Sequence, residues 1–192
     1  MPGSMIHLLL ANKVNPDGSA LFHLGNIAPD AVRDRHIKDL THFRTLEDRH
    51  PAMIRLAQET SGDFAEGVLL HMYFDWQWDS IILHQFIDIT GDDWIRPYRY
   101  ELSLAGSHAY HTTSWAKKIW NDMDSLDVSR YGITPCATAA DVKELICQSM
   151  KWLKENRAMP SLAFPPHLID TFTTEIALKY RIWRRKAHLV SH

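Results

Sequence analysis

Three polar side chains recur every fourth residue in a mostly apolar segment near the middle of the chain. The segment runs from Gly67 to Asp79, and the polar positions are His71, Asp75 and Asp79. At roughly 100° per residue, steps of four leave successive side chains only ~40° apart on a helix. A buried carboxylate needs a compensating partner, and a metal ion is one such partner. The spacing therefore points to a metal site, and the simpler alternative is a core helix whose His and Asp bond to each other or to an arginine.

Further imidazole and carboxylate groups stand outside this segment. His7 interrupts a run of aliphatic residues, so its ring is expected to be partly buried. Asp30 follows Pro29, whose ring restricts the backbone and so helps to fix the carboxylate. His42 lies in a charged segment beside an aromatic residue. Each has an ordinary alternative when it is taken alone: a satisfied core histidine for His7, a helix cap for Asp30, and no special role for His42.

Together these groups resemble the pattern of a known family. The pattern is His7, then Gly25-Asn26-Ile27-Ala28-Pro29-Asp30, then His42-Phe43, then His71-x-x-x-Asp75-x-x-Trp78. It is similar to the zinc-dependent phospholipase C family, in its short cytosolic branch of hydrolases, over roughly residues 5–125. In that family a mostly helical fold holds up to three zinc ions. The resemblance implies that the metal ligands here are His7, Asp30, His42, His71 and Asp75, and that Asp30 bridges ions or acts as the base.

The chain also departs from the family pattern. The secreted members bind a metal through an N-terminal tryptophan, whereas this sequence begins Met1-Pro2-Gly3-Ser4. They also use a second His-x-x-x-Glu, which is not found after residue 75. We therefore expect one or two ions, with zinc as the leading candidate, although imidazole and carboxylate also accept iron, manganese or nickel.

Several other polar residues have alternative roles. His36 is a rival to His42 as the ligand from the charged segment, and His108 with His111 is placed in a loop that could line the site. Arg44 could stabilise developing negative charge, but a surface salt bridge is the ordinary alternative for an arginine.

Two further positions extend the four-residue spacing along the central helix. Asp79 either completes the coordination sphere or orients a ligating imidazole, and we prefer the second role. His84 and Asp88 repeat the spacing, but nine residues beyond Asp75 amount to a rotation of about 900°, which places His84 on the opposite face. These two are predicted to be structural.

The positions of apolar residues and breakers predict an all-α fold. The expected helices cover residues 4–13, 20–25, about 47–61 and 63–89, followed by helices that begin near Thr112 or Thr113, at Thr138, and at Pro165 or Pro166. Residues 26–30 are expected to be irregular, residues 31–46 to form a loop, and the stretch through Pro97 and Gly106 to be irregular.

Composition limits the function classes. The 192 residues suit one domain, and a formal net charge of -2 gives no electrostatic reason to expect a nucleic-acid partner. No apolar run reaches membrane-spanning length, and a cytoplasmic protein is expected. Two cysteines, Cys136 and Cys147, are too few for a disulfide scaffold and are expected to be reduced in the core.

The leading expectation is a metal-dependent hydrolase that acts on a phosphate ester, small or lipid-derived, through a metal-activated water. The alternative is a non-catalytic helical protein whose ion is structural or sensory. A helical interaction module with incidental histidines is the third reading, and it predicts no bound metal.

Overall fold

The computed structural model describes residues 2–127, 137–157 and 159–189, and it confirms the all-α fold. The helices in these ranges are α1 (Ser4–Val14), α2 (Ala20–Ile27), α3 (Arg35–Thr41), α4 (His50–Glu59), α5 (Asp63–Trp78), α6 (His84–Thr90), α7 (Ile95–Thr112), α8 (Ala116–Asp124), α9 (Ala139–Glu155) and α10 (Pro166–Leu189). A 3₁₀ turn (Ala28–Ala31) follows α2, and a π-helical turn (Asp79–Leu83) joins α5 to α6.

The first helix separates two halves of the apolar core. Ile6 and Leu10 of α1 belong to a cluster built with α5 and α10, and Met5 and Leu8 belong to a second cluster built with α2, α8 and α9. All four side chains are almost completely buried. A helix that is apolar on nearly every side is expected to be buried, so His7, on the same helix, lies deep inside the protein.

The predicted loop over residues 31–46 was wrong, because this segment contains α3. Asp34 caps that helix, since its side chain accepts a hydrogen bond from Ile37 N at 2.9 Å. The predicted irregular segment 26–30 was also wrong, because it contains the end of α2 and most of the 3₁₀ turn. Both elements are short and lack a clear apolar stripe, so the periodicity carries little signal for them.

The predicted irregular stretch through Pro97 and Gly106 was wrong as well, because both residues lie within α7. Pro97 occupies the first turn of this helix, where a missing backbone N–H costs no intrahelical hydrogen bond. His108 and His111 therefore lie on a helix rather than in a loop. His111 Nε2 donates to the carbonyl of Leu153 at 2.8 Å, which ties α7 to α9.

The remaining helices follow the prediction closely. α9 begins after Thr138, which forms a reciprocal capping box with Asp141. α8 begins at Ala116, a few residues later than expected. The predicted burial of Cys147 in the core was wrong, because Cys147 is an exposed free thiol. Cys136 lies outside the described residues. Within the described ranges, no helix is both long enough and apolar enough to cross a bilayer; the cytoplasmic location stays a prediction.

Candidate metal centre

The five predicted ligands, which come from separate parts of the sequence, meet in two overlapping groups. In the first, ligand atoms of His7, His71 and Asp75 all lie within 4.8 Å of one another. In the second, the same limit holds for Asp30, His42 and His71. Helices α1 and α5, the 3₁₀ turn and the end of α3 supply these side chains, and His71 belongs to both groups.

Backbone carbonyls orient two of the imidazoles. His71 Nδ1 donates to the carbonyl of Asn26 at 2.8 Å, and His42 Nδ1 donates to the carbonyl of Lys38 at 2.8 Å. A carbonyl can only accept, so each Nδ1 carries the ring hydrogen, and in the neutral ring Nε2 then presents a lone pair. The two Nε2 atoms face each other at 3.3 Å.

Burial keeps these two rings neutral. It lowers the pKa of His71 to about 3, and the neighbouring His7 acts in the same direction. Burial also lowers the pKa of His42. At neutral pH neither Nε2 therefore carries a proton to share, and two lone pairs oppose each other inside the protein. A cation between them would turn this repulsion into binding.

The distance fits such a cation. With Zn–N bonds of ~2.0–2.1 Å, the edge of a tetrahedron of nitrogen ligands is ~3.3 Å long. The separation between the Nε2 atoms of His42 and His71 is 3.3 Å, and His7 Nε2 lies 3.3 Å from Asp75 Oδ1.

His7 and Asp75 hold buried polar atoms without hydrogen-bond partners. The His7 ring stacks on that of His71, with centroids 4.0 Å apart and planes 7° apart. Its approach to Asp75 Oδ1 is not aligned for a hydrogen bond, and neither ring nitrogen of His7 nor Asp75 Oδ1 has a partner among the described residues. Such atoms are costly to bury, and metal coordination would satisfy them.

Each of the two carboxylates is paired with a cationic side chain. Arg44 Nη2 lies 2.9 Å from Asp75 Oδ2, and Lys38 Nζ lies 2.9 Å from Asp30 Oδ1. Burial raises the pKa of Asp75, but the adjacent imidazoles and the Arg44 guanidinium outweigh it and hold that pKa well below its usual range. Burial raises the pKa of Asp30 in the same way, and Lys38 is the main group that reverses this and lowers it. Both groups are therefore ionised, as metal ligands must be.

The carboxylate of Asp79 binds two arginines and none of the candidate ligand imidazoles. Its Oδ2 accepts from Arg44 Nε at 2.9 Å and from Arg49 Nη1 at 3.1 Å. The sequence pattern favoured a role for Asp79 in orienting a ligating imidazole. The contacts give it a different role: Asp79 positions Arg44, and Arg44 in turn binds Asp75. Arg44 is 15% exposed and is not the surface salt bridge that a lone arginine would suggest.

The other histidines lie elsewhere. His36 is exposed on α3, and within the described ranges the candidate ligand groups contain His42 and not His36. Helix periodicity predicted that His84 lies on the opposite face from the ligands, but the π-helical turn changes the direction of this side chain. Its Nδ1 donates to the carbonyl of Asp79 at 2.7 Å, and its ring lines the same cavity as Asp79. A π turn has i→i+5 hydrogen bonds in place of the i→i+4 bonds of an α-helix, and the local sequence pattern does not predict it.

Comparison with known proteins adds no relative. No family model, no curated protein and no solved structure matches the chain.

Proposed function

We propose that this chain is a metal-dependent hydrolase that acts on a phosphate ester. The observation that carries the proposal is the pair of opposed Nε2 atoms of His42 and His71, which lie 3.3 Å apart with both Nδ1 atoms bound to carbonyls. Together with His7, Asp30 and Asp75, they form a set of three imidazoles and two carboxylates. This set suits zinc, and also iron, manganese or nickel.

The chemistry of the site divides between the ion and the chain. A bound divalent ion would acidify a water molecule and polarise a phosphoryl oxygen. Asp30 is the most accessible of the five donors, with 11% of its side chain exposed, and we assign it the role of accepting a proton. Arg44 binds Asp75 and holds its carboxylate in position, and Asp79 in turn binds Arg44.

The resemblance to zinc-dependent phospholipases C supports the phosphate ester as substrate. Its most specific block, Gly25 to Asp30, supplies two parts of this site: the carbonyl of Asn26 orients His71, and Asp30 contributes a carboxylate. The residues that carry the resemblance are thus the ones that build the centre. The two donor groups share His71, whose Nε2 has one lone pair and can bind one ion; a second ion would have to be held by the other donors.

Burial of the donors favours one alternative, a helical protein with a structural ion. His7 and His71 are fully buried and Asp75 is 1% exposed, and structural sites are closed by protein ligands. Against it, Lys38 and Arg44, which pair with Asp30 and Asp75, line a cavity of about 770 Å³. A catalytic centre needs a neighbouring cavity for its substrate.

Metal content and turnover measured on the same samples test the proposal. The full chain is purified without chelators, its metals are measured by plasma mass spectrometry, and hydrolysis of nitrophenyl phosphate and bis-nitrophenyl phosphate is followed. His71→Ala should lose bound metal and turnover together. His36→Ala removes an exposed histidine as a matched control and should keep both.

The outcomes separate the alternatives. Stoichiometric metal without turnover on any phosphate ester would favour the structural ion. Full metal and full turnover in His71→Ala would overturn the site itself.

A further inference from the structure

A large cavity lies beside the candidate metal centre. Its volume is about 770 Å³, within the range of sites for small molecules. Its walls come from α3 and the segments on either side of it, from the π-helical turn and α6, and from the start of α7. Leu83, Ile87 and Trp94 form an apolar wall.

The charged side chains around this cavity are mainly cationic. They are Arg33, Arg35, Lys38, Arg44, Arg49 and Arg99, against two carboxylates, Asp39 and Asp79. Further carboxylates outside the lining, Asp30, Asp75 and Glu144, pair with Lys38, Arg44 and Arg33. With these included, the cations still outnumber the carboxylates, but by one. A concave surface with an excess of cationic groups attracts anionic ligands.

Two cationic side chains link the cavity to the metal centre, although none of the five candidate ligands lines the cavity itself. Lys38 contacts Asp30 and Arg44 contacts Asp75, each at 2.9 Å, and both cationic side chains also line the cavity. A ligand in the cavity would therefore contact the two side chains that pair with Asp30 and Asp75.

One cation of this cavity is unpaired among the described residues, and it also borders a second cavity between α7 and α9. Arg33 forms an ion pair with Glu144, and Arg35 forms one with Asp39. Arg99 on α7 is exposed, and no ion pair or hydrogen bond to its side chain occurs among the described residues. Its guanidinium is free to bind an anion, with the planar donor geometry that suits phosphate.

We propose that the cavity binds a second anionic group of the substrate, with Arg99 as its main ligand, so that the substrate is a small organic bisphosphate. This inference rests on the proposed function and narrows its substrate class. One phosphate would lie at the metal centre beside Lys38 and Arg44, the second would lie at Arg99, and the carbon skeleton would contact the apolar wall. A lipid would carry one phosphate and long acyl chains, and it would leave Arg99 without a partner.

A binding experiment tests this without relying on turnover. Fructose 1,6-bisphosphate and fructose 6-phosphate form a matched pair of probes, and calorimetry measures their affinity for the full chain at low ionic strength. The protein is used as purified and after passage over a chelating resin, because a soluble polyanionic chelator would compete for the cavity. The bisphosphate should bind about tenfold more tightly than the monophosphate.

Variants on α7 locate the effect. Arg99→Ala should remove most of the advantage of the bisphosphate and leave binding of the monophosphate nearly unchanged. Arg96→Ala is the control, since Arg96 is exposed on the same helix but does not line the cavity, and it should keep the full advantage.

The possible outcomes are distinct. Equal affinity for the two sugars, or the same loss in Arg96→Ala and Arg99→Ala, would overturn the proposal. So would tighter binding to phosphatidylcholine vesicles or to a single-stranded oligonucleotide than to the bisphosphate. A selective Arg99 effect without turnover of any phosphate ester would support the anion site and count against the hydrolase, whereas turnover without selectivity would do the reverse.

Discussion

Gly25 on α2 and Gly67 on α5 lie where the two helices cross, and each leaves room for the backbone of the other helix. A Cβ on Gly67 would overlap the carbonyl oxygen of Phe22 and lie 2.7 Å from the backbone nitrogen of Asn26. A Cβ on Gly25 would overlap the backbone of α5 at Phe64. This close approach brings the Asn26 carbonyl to the α5 face that carries His71, with the hydrogen bond at 2.8 Å.

Gly67→Ala should therefore damage both the fold and the metal centre. The new methyl group forces α2 and α5 apart, which we expect to cost about 1–3 kcal/mol in the free energy of unfolding. The displaced Asn26 carbonyl no longer orients His71, and metal affinity should fall by about 10- to 100-fold. Chemical denaturation and competition with a metal indicator measure the two effects.

Gly106→Ala is the matched control. Gly106 is also buried in a helix, but the nearest atom to a new Cβ is Met5 Cβ at 3.7 Å, an ordinary contact. The exchange should leave metal affinity unchanged and stabilise α7 by up to about 1 kcal/mol. Equal behaviour of the two alanine variants would show that the helix crossing has no special role.

Helix periodicity was enough to predict most of the fold. Long amphipathic segments such as α9 and α10 bury one stripe, and their pattern identifies them without knowledge of their partners. The stretch around Pro97 and Gly106 shows where this reasoning fails. Pro97 is tolerated because it lies in the first turn of α7, and Gly106 lies inside the same helix. The π-helical turn after Trp78 depends on tertiary packing, which a local pattern does not contain.

The sequence was enough to predict the candidate ligands, but not the cationic side chains that pair with them. The His71 and Asp75 spacing, read with the Gly25–Asp30 block, identified the donors that meet in the structure. The cationic partners could not be found in the same way. Lys38 and Arg44 belong to a segment without periodicity, and their pairing with Asp30 and Asp75 depends on how α3 docks on α5.

The backbone of Phe43 is strained, and this places its two neighbours. Its φ is 56°, the only positive value among described residues other than glycine. The left-handed residue reverses the chain after α3, so that His42 and Arg44 both reach the cluster. This conformation costs a residue with a Cβ about 1–2 kcal/mol.

Substitutions at Phe43 should therefore reverse the usual order of alanine and glycine. Phe43→Gly and Phe43→Ala both lose the packing of the ring, but only glycine relieves the strain, so Phe43→Gly should be the more stable of the two by about 1 kcal/mol. Denaturant unfolding of both variants measures the difference. At Leu46, which is exposed and has no positive φ, the same pair should show no such preference for glycine, and a preference there would refute the explanation by strain.

Arg44 compensates the buried charge of Asp75. Arg44→Met keeps much of the side-chain volume but leaves that carboxylate without its cation, which should cost about 3 kcal/mol in protein stripped of metal. Zinc would take over part of the compensation, so added zinc should raise the melting temperature of Arg44→Met by more than that of the unaltered chain. Thermal unfolding with and without zinc measures this difference.

The matched control for this experiment is Arg55→Met. Arg55 is exposed on α4, and its replacement should change the free energy of unfolding by less than about 0.5 kcal/mol. An identical zinc shift in Arg44→Met and the unaltered chain would mean that the ion does not share Asp75 with the arginine.

His23 should make the protein less stable in acid. The ring is 3% exposed on α2, its Nδ1 donates to the carbonyl of Ser19 at 3.0 Å, and its Nε2 has no partner among the described residues. Burial lowers the pKa of His23 below its ordinary value of 6.5. The folded state therefore binds this proton less readily than the unfolded state, so the contribution of His23 is fully present above pH 6.5 and is lost as the pH falls below it. His23→Gln cannot take up the proton, and its free energy of unfolding should fall less steeply between pH 7 and pH 5 than that of the unaltered chain. Parallel pH profiles from denaturant titrations would show that His23 does not contribute to acid sensitivity.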